Sequence, residues 1–248
     1  MIIPKLRSAG YRAISVTPRG LGMETSGQGS FDKLTIALEI SEAIDKLSLS
    51  NFAIIGHDWG GTIGYLLATR AREKCFALVV EEEILPGVDV DVPAPGSDYY
   101  PTWHGPFNRA EGLAEKLVPG RESEYYGLFL RQSAGKFPLE SFAIAKYLEN
   151  YVGESQLTST LGYYRSQTKD ILDIRSEREW PLDMPMLALG GEFGMGKAVG
   201  LGLSEFGVNV TSKVIRNAGH YPAEQEPELF LEILLSFLES SRPDLKSR

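Results

Sequence analysis

The sequence predicts an α/β fold: a mainly parallel sheet flanked by helices, with a helical insertion. Three observations predict it. Short apolar runs alternate along the chain with segments of helical periodicity. One such run, Asn51–Ile55, leads through a glycine-rich turn straight into a helical segment. Between residues 87 and 182 the alternation stops, helical pattern alone remains, and strand and helix then resume.

Taken in order, residues 2–8 read as a helix end closed by Gly10. Tyr11–Val16 alternates and stops at Thr17-Pro18-Arg19-Gly20, which predicts a strand and a turn. Residues 21–30 are rich in glycine and serine and predict a loop. Phe31–Leu47 carries Leu34, Ile36, Ala37, Leu38, Ile40, Ile44 and Leu47 near the 3.6 period and predicts a helix. Asn51–Ile55 is the next strand and Thr62–Arg70 the next helix. Phe76–Val80 is a continuous apolar run, as a buried parallel strand requires. A proline-rich stretch opens the insertion, where helices are expected at Leu113–Leu117, Glu122–Ser133, Leu139–Asn150 and Leu157–Asp173. Met184–Leu189 is a strand, Gly190–Gly202 a glycine-rich loop, Lys213–Ile215 a short strand and Glu226–Leu238 an amphipathic helix with Pro227 in its first turn. The expected organisation is a core over 1–86 and 183–248 with a helical cap over 87–182.

Composition excludes several classes. A net charge of −8 with no basic run argues against a nucleic-acid partner. No 18-residue apolar stretch exists, so no membrane partner is expected. The one cysteine, Cys75, excludes an internal disulfide and fits a reducing cytoplasm, which is the expected location. No cluster of histidine, cysteine and carboxylates calls for a metal, and no cofactor is expected.

The chemistry concentrates in Gly56-His57-Asp58-Trp59-Gly60-Gly61. Strand, tight glycine-flanked turn, then helix is a nucleophile elbow, in which the central residue is strained and neighbouring Cβ atoms would clash. Serine is the usual occupant; aspartate changes the reaction. A carboxylate attacks sp³ carbon, opening an epoxide or displacing a halide, and leaves an ester that water must cleave. Activating that water needs a base, and histidine is suited to it. Of His57, His104 and His220, the last lies in Ala218-Gly219-His220-Tyr221-Pro222 after the final strand, in the chain order nucleophile first and histidine last.

With these residues in view, nearly the whole chain resembles the α/β-hydrolase family, in its epoxide hydrolase and haloalkane dehalogenase branch. The resemblance implies Asp58 as nucleophile, His220 as base, the Trp59 backbone N–H as an oxyanion donor and a structural role for His57. It implies that Trp103-His104-Gly105-Pro106-Phe107-Asn108 opens the cap. Tyr164 matches one of two cap tyrosines that donate to the ring oxygen. Trp103 stands where the other is expected, and its indole N–H suits a leaving halide. Tyr99, Tyr100, Tyr125 and Tyr126 are further candidates for the missing donor. Trp103, His104 and Phe107 are expected to contact substrate.

The triad acid aligns with Gly194, which cannot serve. Glu81, at the head of Glu81-Glu82-Glu83, and Glu192 are the two candidates, with the absence of any triad acid as the third reading; at least one of the three adjoining glutamates is expected to face the site. The resemblance also implies further strands and a His-Gly-x-Pro loop that this sequence lacks, so the first strands of the family are expected to be missing and Met1 to be an internal or misassigned start.

The expected activity is hydrolysis of a small, largely apolar epoxide through an Asp58 ester. A haloalkane or haloacid dehalogenase with the same nucleophile is the alternative, and an inactive fragment or binding protein on the same fold is a third. A homodimer is compatible with all three.

Overall fold

The computed structural model describes residues 2–21, 29–92 and 101–243. Four strands form its sheet: β1 (Phe52–His57), β2 (Cys75–Glu81), β3 (Met186–Gly191) and β4 (Val210–Ile215). They are hydrogen-bonded in the order β1-β2-β3-β4, and every pair is parallel. A parallel neighbour can be reached only by a crossover, so each connection carries helix onto a face of the sheet.

Strand alternation sorts the two faces. Leu78, Val80, Met186 and Ala188 pack with α2 (Lys33–Lys46), α3 (Trp59–Arg70) and α10 (Ala198–Leu203). Val79, Leu187 and Leu189 pack with α1 (Ile2–Ser8) and α12 (Pro227–Ser241). Side chains point to opposite faces with period two, so one apolar run supplies both cores. Asp32 starts α2 as its N-cap, its carboxylate accepting the Thr35 N–H at 3.0 Å.

Between β2 and β3 lie α4 (His104–Arg109), α5 (Ala114–Leu117), α6 (Glu122–Ser133), α7 (Ser141–Leu148), α8 (Glu154–Arg165) and α9 (Gln167–Glu177). The remaining helix, α11 (Pro222–Gln225), follows β4.

Three expectations change. Tyr11–Val16 is extended but is not a strand: no described strand lies beside it, and Ile14 and Val16 are 47 % and 51 % exposed. A groove of about 440 Å³, lined by Ile14, Val16, Ile40, Leu47 and Leu49 among others, separates this segment from α2. The single helix expected over Leu157–Asp173 is two helices broken at Ser166. The Ser166 hydroxyl is tied to Asp170, and the Lys33 ammonium donates to it at 3.0 Å. The glycine-rich stretch after β3 contains a helix, α10, because Gly200 has no Cβ to strike the Ser212 side chain on β4.

The same lysine joins the helical segment to the sheet layer. Lys33 and Asp170 are fully buried; Nζ lies 2.9 Å from Asp170 Oδ2, and the Lys33 N–H donates to Oδ1 at 2.9 Å. Nζ also donates to the Tyr163 carbonyl and stands 3.9 Å over the Trp59 ring. Burial pushes the ammonium pKa down and the Asp170 charge opposes that shift. Removing one member strands the other charge in a dry site. Lys33→Met should therefore cost about 3–5 kcal/mol in urea unfolding, and adding Asp170→Leu should recover most of it. A single variant as stable as the parent would show the pair to be dispensable.

Candidate active site

Asp58, Glu82 and His220 follow the carboxyl ends of β1, β2 and β4, where loops after parallel strands converge. Asp58 follows β1 directly. Its backbone is strained, at φ 52° and ψ −132°, and caps α3. One of the three neighbouring glycines is required, since a Cβ on Gly56 would strike the Gly60 carbonyl; one on Gly61 would make a tight contact, 3.0 Å from Val80 Cγ1. Gly60 has open space. The Trp59 N–H donates to Asp58 Oδ1 at 2.6 Å.

His220, delivered by the loop after β4, stands on the other oxygen. Its Nε2 lies 2.7 Å from Asp58 Oδ2 and its Nδ1 3.2 Å from Glu82 Oε2. The Asp58 side chain is 28 % accessible, whereas those of His220 and Glu82 are 2 % and 0 %. Three groups hold the imidazole loop. The His220 N–H donates to the Ser133 carbonyl at 2.8 Å, His57 Nε2 donates to the His220 carbonyl at 2.6 Å, and Gln225 Oε1 accepts the Gly219 N–H at 2.8 Å.

The acid facing His220 is Glu82, where the sequence favoured Glu81 or Glu192. Glu82 Oε1 accepts the backbone N–H groups of Gly191 at 2.6 Å and Met195 at 2.9 Å. A Cβ on Gly194 would collide with Glu82 Oε2, so the position aligned with the family's acid is empty because a carboxylate from the neighbouring strand fills it. The paired signal, glycine at the expected acid and a glutamate run after the previous strand, was present in the sequence. Choosing among three adjacent glutamates was not possible there, because Glu82 leaves the strand alternation with φ 49°. Glu81 accepts the Ala223 N–H at 2.8 Å, and burial pushes its pKa up. Glu192 is exposed and accepts the Asn217 N–H at 3.1 Å. Glu83 takes the Thr62 hydroxyl; burial and the Asp58 charge push its carboxyl up to about 8.

Burial alone would depress the His220 pKa, but its hydrogen bonds to Asp58 and Glu82 and their charges raise it to about 10. Burial likewise opposes the Asp58 charge and is outweighed by the His220 hydrogen bond and charge, so the carboxyl falls well below the usual range. The resting pair is aspartate and imidazolium.

Above Asp58 lies a cavity of about 290 Å³, walled by Trp59, His104, Tyr126, Tyr151, Tyr164 and His220 among others. Tyr164 packs edge-on against Trp59 at 5.7 Å and His104 at 5.5 Å, and burial holds its hydroxyl well above the ordinary pKa. His104 donates from Nδ1 to the Pro101 carbonyl at 2.6 Å, and burial lowers its pKa to about 4, so the ring is neutral. Trp103 and Phe107 do not line this cavity. The Trp103 indole N–H is spent on Gln132 Oε1 at 2.7 Å, and Phe107 packs on Tyr125 behind the wall. Tyr125 and Tyr126 reach the cavity, while Tyr99 and Tyr100 lie outside the described residues. Tyr151, Phe129 and Tyr221 line it without having been singled out in the sequence, since an aromatic residue carries no local mark of which way it faces in the fold.

Cys75 is buried and its thiol pushed up to about 11 by burial, which leaves it a packing residue. Among the described residues, no helix is long and apolar enough to cross a membrane.

Two stability outcomes follow from this geometry. Gly194→Ala should lower the thermal midpoint by several degrees, because Glu82 must give up its place; an unchanged midpoint would mean that the loop yields freely. A histidine with a raised folded pKa contributes stability that is complete below its unfolded value near 6.5 and is lost as pH rises through about 10. Glu83 adds a loss of the same sign from 4.5 to about 8. The midpoint should therefore decline as pH rises from about 4.5 to about 10. Glu83→Gln should flatten the lower part of the decline and His220→Gln the upper part.

A family model described as alpha/beta hydrolase fold matches residues 2–227. A soluble epoxide hydrolase from Corynebacterium sp. (strain C12) is 24 % identical, over 95 % of this chain and 83 % of its own. Epoxide hydrolase B from Mycobacterium tuberculosis (strain H37Rv) is 22 % identical, over 97 % of this chain and 87 % of its own. The crystal structure of Cfl2 from Burkholderia cenocepacia superposes with a TM-score of 0.86 at 24 % identity, covering 95 % of this chain and 81 % of that one. The chain is therefore a hydrolase belonging to the alpha/beta hydrolase fold family, on the branch that holds those epoxide hydrolases.

Proposed function

We propose that the protein hydrolyses epoxides through an ester on Asp58. The observation that carries this reading is Asp58 itself: a carboxylate accessible from an aromatic-walled cavity, strained into place and 2.7 Å from the imidazole of His220. Its relatives' activity as epoxide hydrolases supports the choice of substrate class.

Asp58 Oδ2 attacks a ring carbon and the C–O bond breaks, with the electron pair going to the ring oxygen. Tyr164, kept protonated by burial, donates to that oxygen as its charge develops. The alkoxide then takes the imidazolium proton. Losing the aspartate charge removes one of the groups that hold the His220 pKa high, so the imidazole is free to act as a base. Neutral His220 draws a proton from water, and hydroxide adds to the Asp58 carbonyl carbon. The oxyanion forms on Oδ1, where the Trp59 N–H already donates at 2.6 Å. Collapse breaks the bond between the carbonyl carbon and the old Oδ2, which leaves in the diol and takes the proton of the newly formed carboxyl, so the resting ion pair returns with one oxygen drawn from water. Glu82 fixes the imidazole tautomer and stabilises its charge. A halide-displacing reading has lost its proposed indole donor, because Gln132 holds the Trp103 N–H.

His220→Gln incubated with styrene oxide should accumulate an adduct on the peptide that holds Asp58, seen as a mass increase. Asp58→Asn should show none. Tyr164→Phe should slow adduct formation by about 10². Single turnover in heavy-oxygen water should place the label in Asp58 before it reaches the diol. Folded protein that forms no adduct with epoxides but releases halide from a haloalkane would replace this reading with the dehalogenase one.

A further inference from the structure

The hydroxyls of most tyrosines around the cavity are committed within the protein. Tyr125 donates to Asn108 Oδ1 at 2.6 Å and Tyr163 to the Arg19 carbonyl at 2.7 Å. Tyr221 shares a hydrogen bond with Ser133 at 2.7 Å, and Tyr147 donates to Glu224. Tyr126 buries its hydroxyl beside Thr160, where nothing in the cavity can reach it. Tyr164 is assigned to the ring oxygen. That leaves Tyr151. It lines the cavity, the residue is half-buried, and its hydroxyl is not closed off as that of Tyr126 is. Burial and the Asp58 charge act on this phenol, and among the described residues no hydrogen-bonding group does.

The ring is pinned. Tyr151 follows α7, and its N–H donates to the Leu148 carbonyl at 3.1 Å. The ring stacks on Tyr126 with centroids 4.4 Å apart, against the cluster that contains Ala114, Val118, Leu157 and Leu161. A substrate that fills the cavity takes this hydroxyl away from solvent. An apolar tail then leaves the donor unpaired, whereas a tail with an oxygen at that point pairs it. Burial and the Asp58 charge both push the phenol pKa up, so the group stays protonated and donates. Tyr151 in turn acts electrostatically on Tyr164 and Tyr221, so it belongs to the reactive end of the cavity. That end is net negative, with Asp58 and Glu82 against one imidazolium. An anionic acceptor would be repelled there, and a neutral oxygen would not.

We propose that Tyr151 is a specificity-determining donor that recognises a neutral ether or carbonyl oxygen close to the epoxide ring of the substrate. This rests on the epoxide reading of Asp58 and narrows it: the preferred substrates are of the glycidyl type, with an oxygen one carbon from the ring, although the aromatic wall alone points to a hydrocarbon epoxide.

The test compares benzyl glycidyl ether with the analogue that has methylene in place of its ether oxygen, in the parent and in Tyr151→Phe. Their different intrinsic reactivity cancels when the ratio of kcat/KM is compared between the two proteins. That ratio, ether over methylene, should fall roughly tenfold in Tyr151→Phe, the worth of one hydrogen bond in a dry site. The variant should keep the parent's melting temperature, since no bond within the protein is removed. A ratio unchanged within twofold would overturn the proposal. An equal loss on both substrates would do the same, by assigning the hydroxyl to the ring oxygen, and so would a lowered melting temperature, by showing that the hydroxyl already has a partner. Calorimetric binding of two inert probes, benzyl ethyl ether and butylbenzene, separates this idea from the reaction itself. If the parent opens neither epoxide the reaction assignment fails, and the probes alone judge Tyr151. A preference for the ether that Tyr151→Phe abolishes upholds the subsite, and equal preference in both proteins removes it.

Discussion

The site depends on keeping two carboxylates and an imidazole charged in a place that water barely reaches. His220 and Glu82 are sealed, and only Asp58 opens to the cavity. Isolated charges would be expelled from such a site or neutralised. Here each is answered. Glu82 has the N–H groups of Gly191 and Met195, His220 has a carboxylate on either nitrogen, and Asp58 has the Trp59 N–H beside the imidazole. The loops after β1, β2, β3 and β4 exist in their observed form to make that arrangement possible. Gly194 shows the constraint most directly, since a single added carbon there would displace a charge on which the imidazole relies.

The helical segment between β2 and β3 does more than roof the cavity. The His220 N–H ends on the carbonyl of Ser133, the last residue of α6, and Gln225 bridges from the His220 loop to the Ala134 carbonyl at 2.7 Å. At the other side, Lys33 is bonded to Asp170 and Ser166 while standing over the Trp59 ring. Both His220 and Trp59, the residue after Asp58, are therefore tied to the helical segment that carries Tyr126 and Tyr164. Under the proposed reaction, the groups that would face substrate and those that would react are held in one frame, which is what precise orientation of a reaction requires.

The elements with strong local signatures were legible from the residues. The 3.6 periodicity of Phe31–Leu47, the continuous apolar run Phe76–Val80 and the glycines around Asp58 each follow from a constraint that acts within a few residues. Tyr11–Val16 had the same kind of local pattern and is not a strand, because a strand is completed by its neighbour and not by its own sequence. The helix expected over Leu157–Asp173 breaks at Ser166 because of a lysine more than a hundred residues away.

The sequence by itself determined the parallel α/β architecture, the elbow with Asp58 at its tip and the histidine loop at the far end of the chain, since these are written in periodicity, glycine placement and order. Only the tertiary structure decided which glutamate serves His220, which aromatic residues face the cavity and which hydroxyls are already spent. Those outcomes depend on where side chains from separate strands and helices meet. Glu82 and Glu81 are chemically identical and adjacent, and what separates them is a positive φ and the room left by one glycine on another strand's loop.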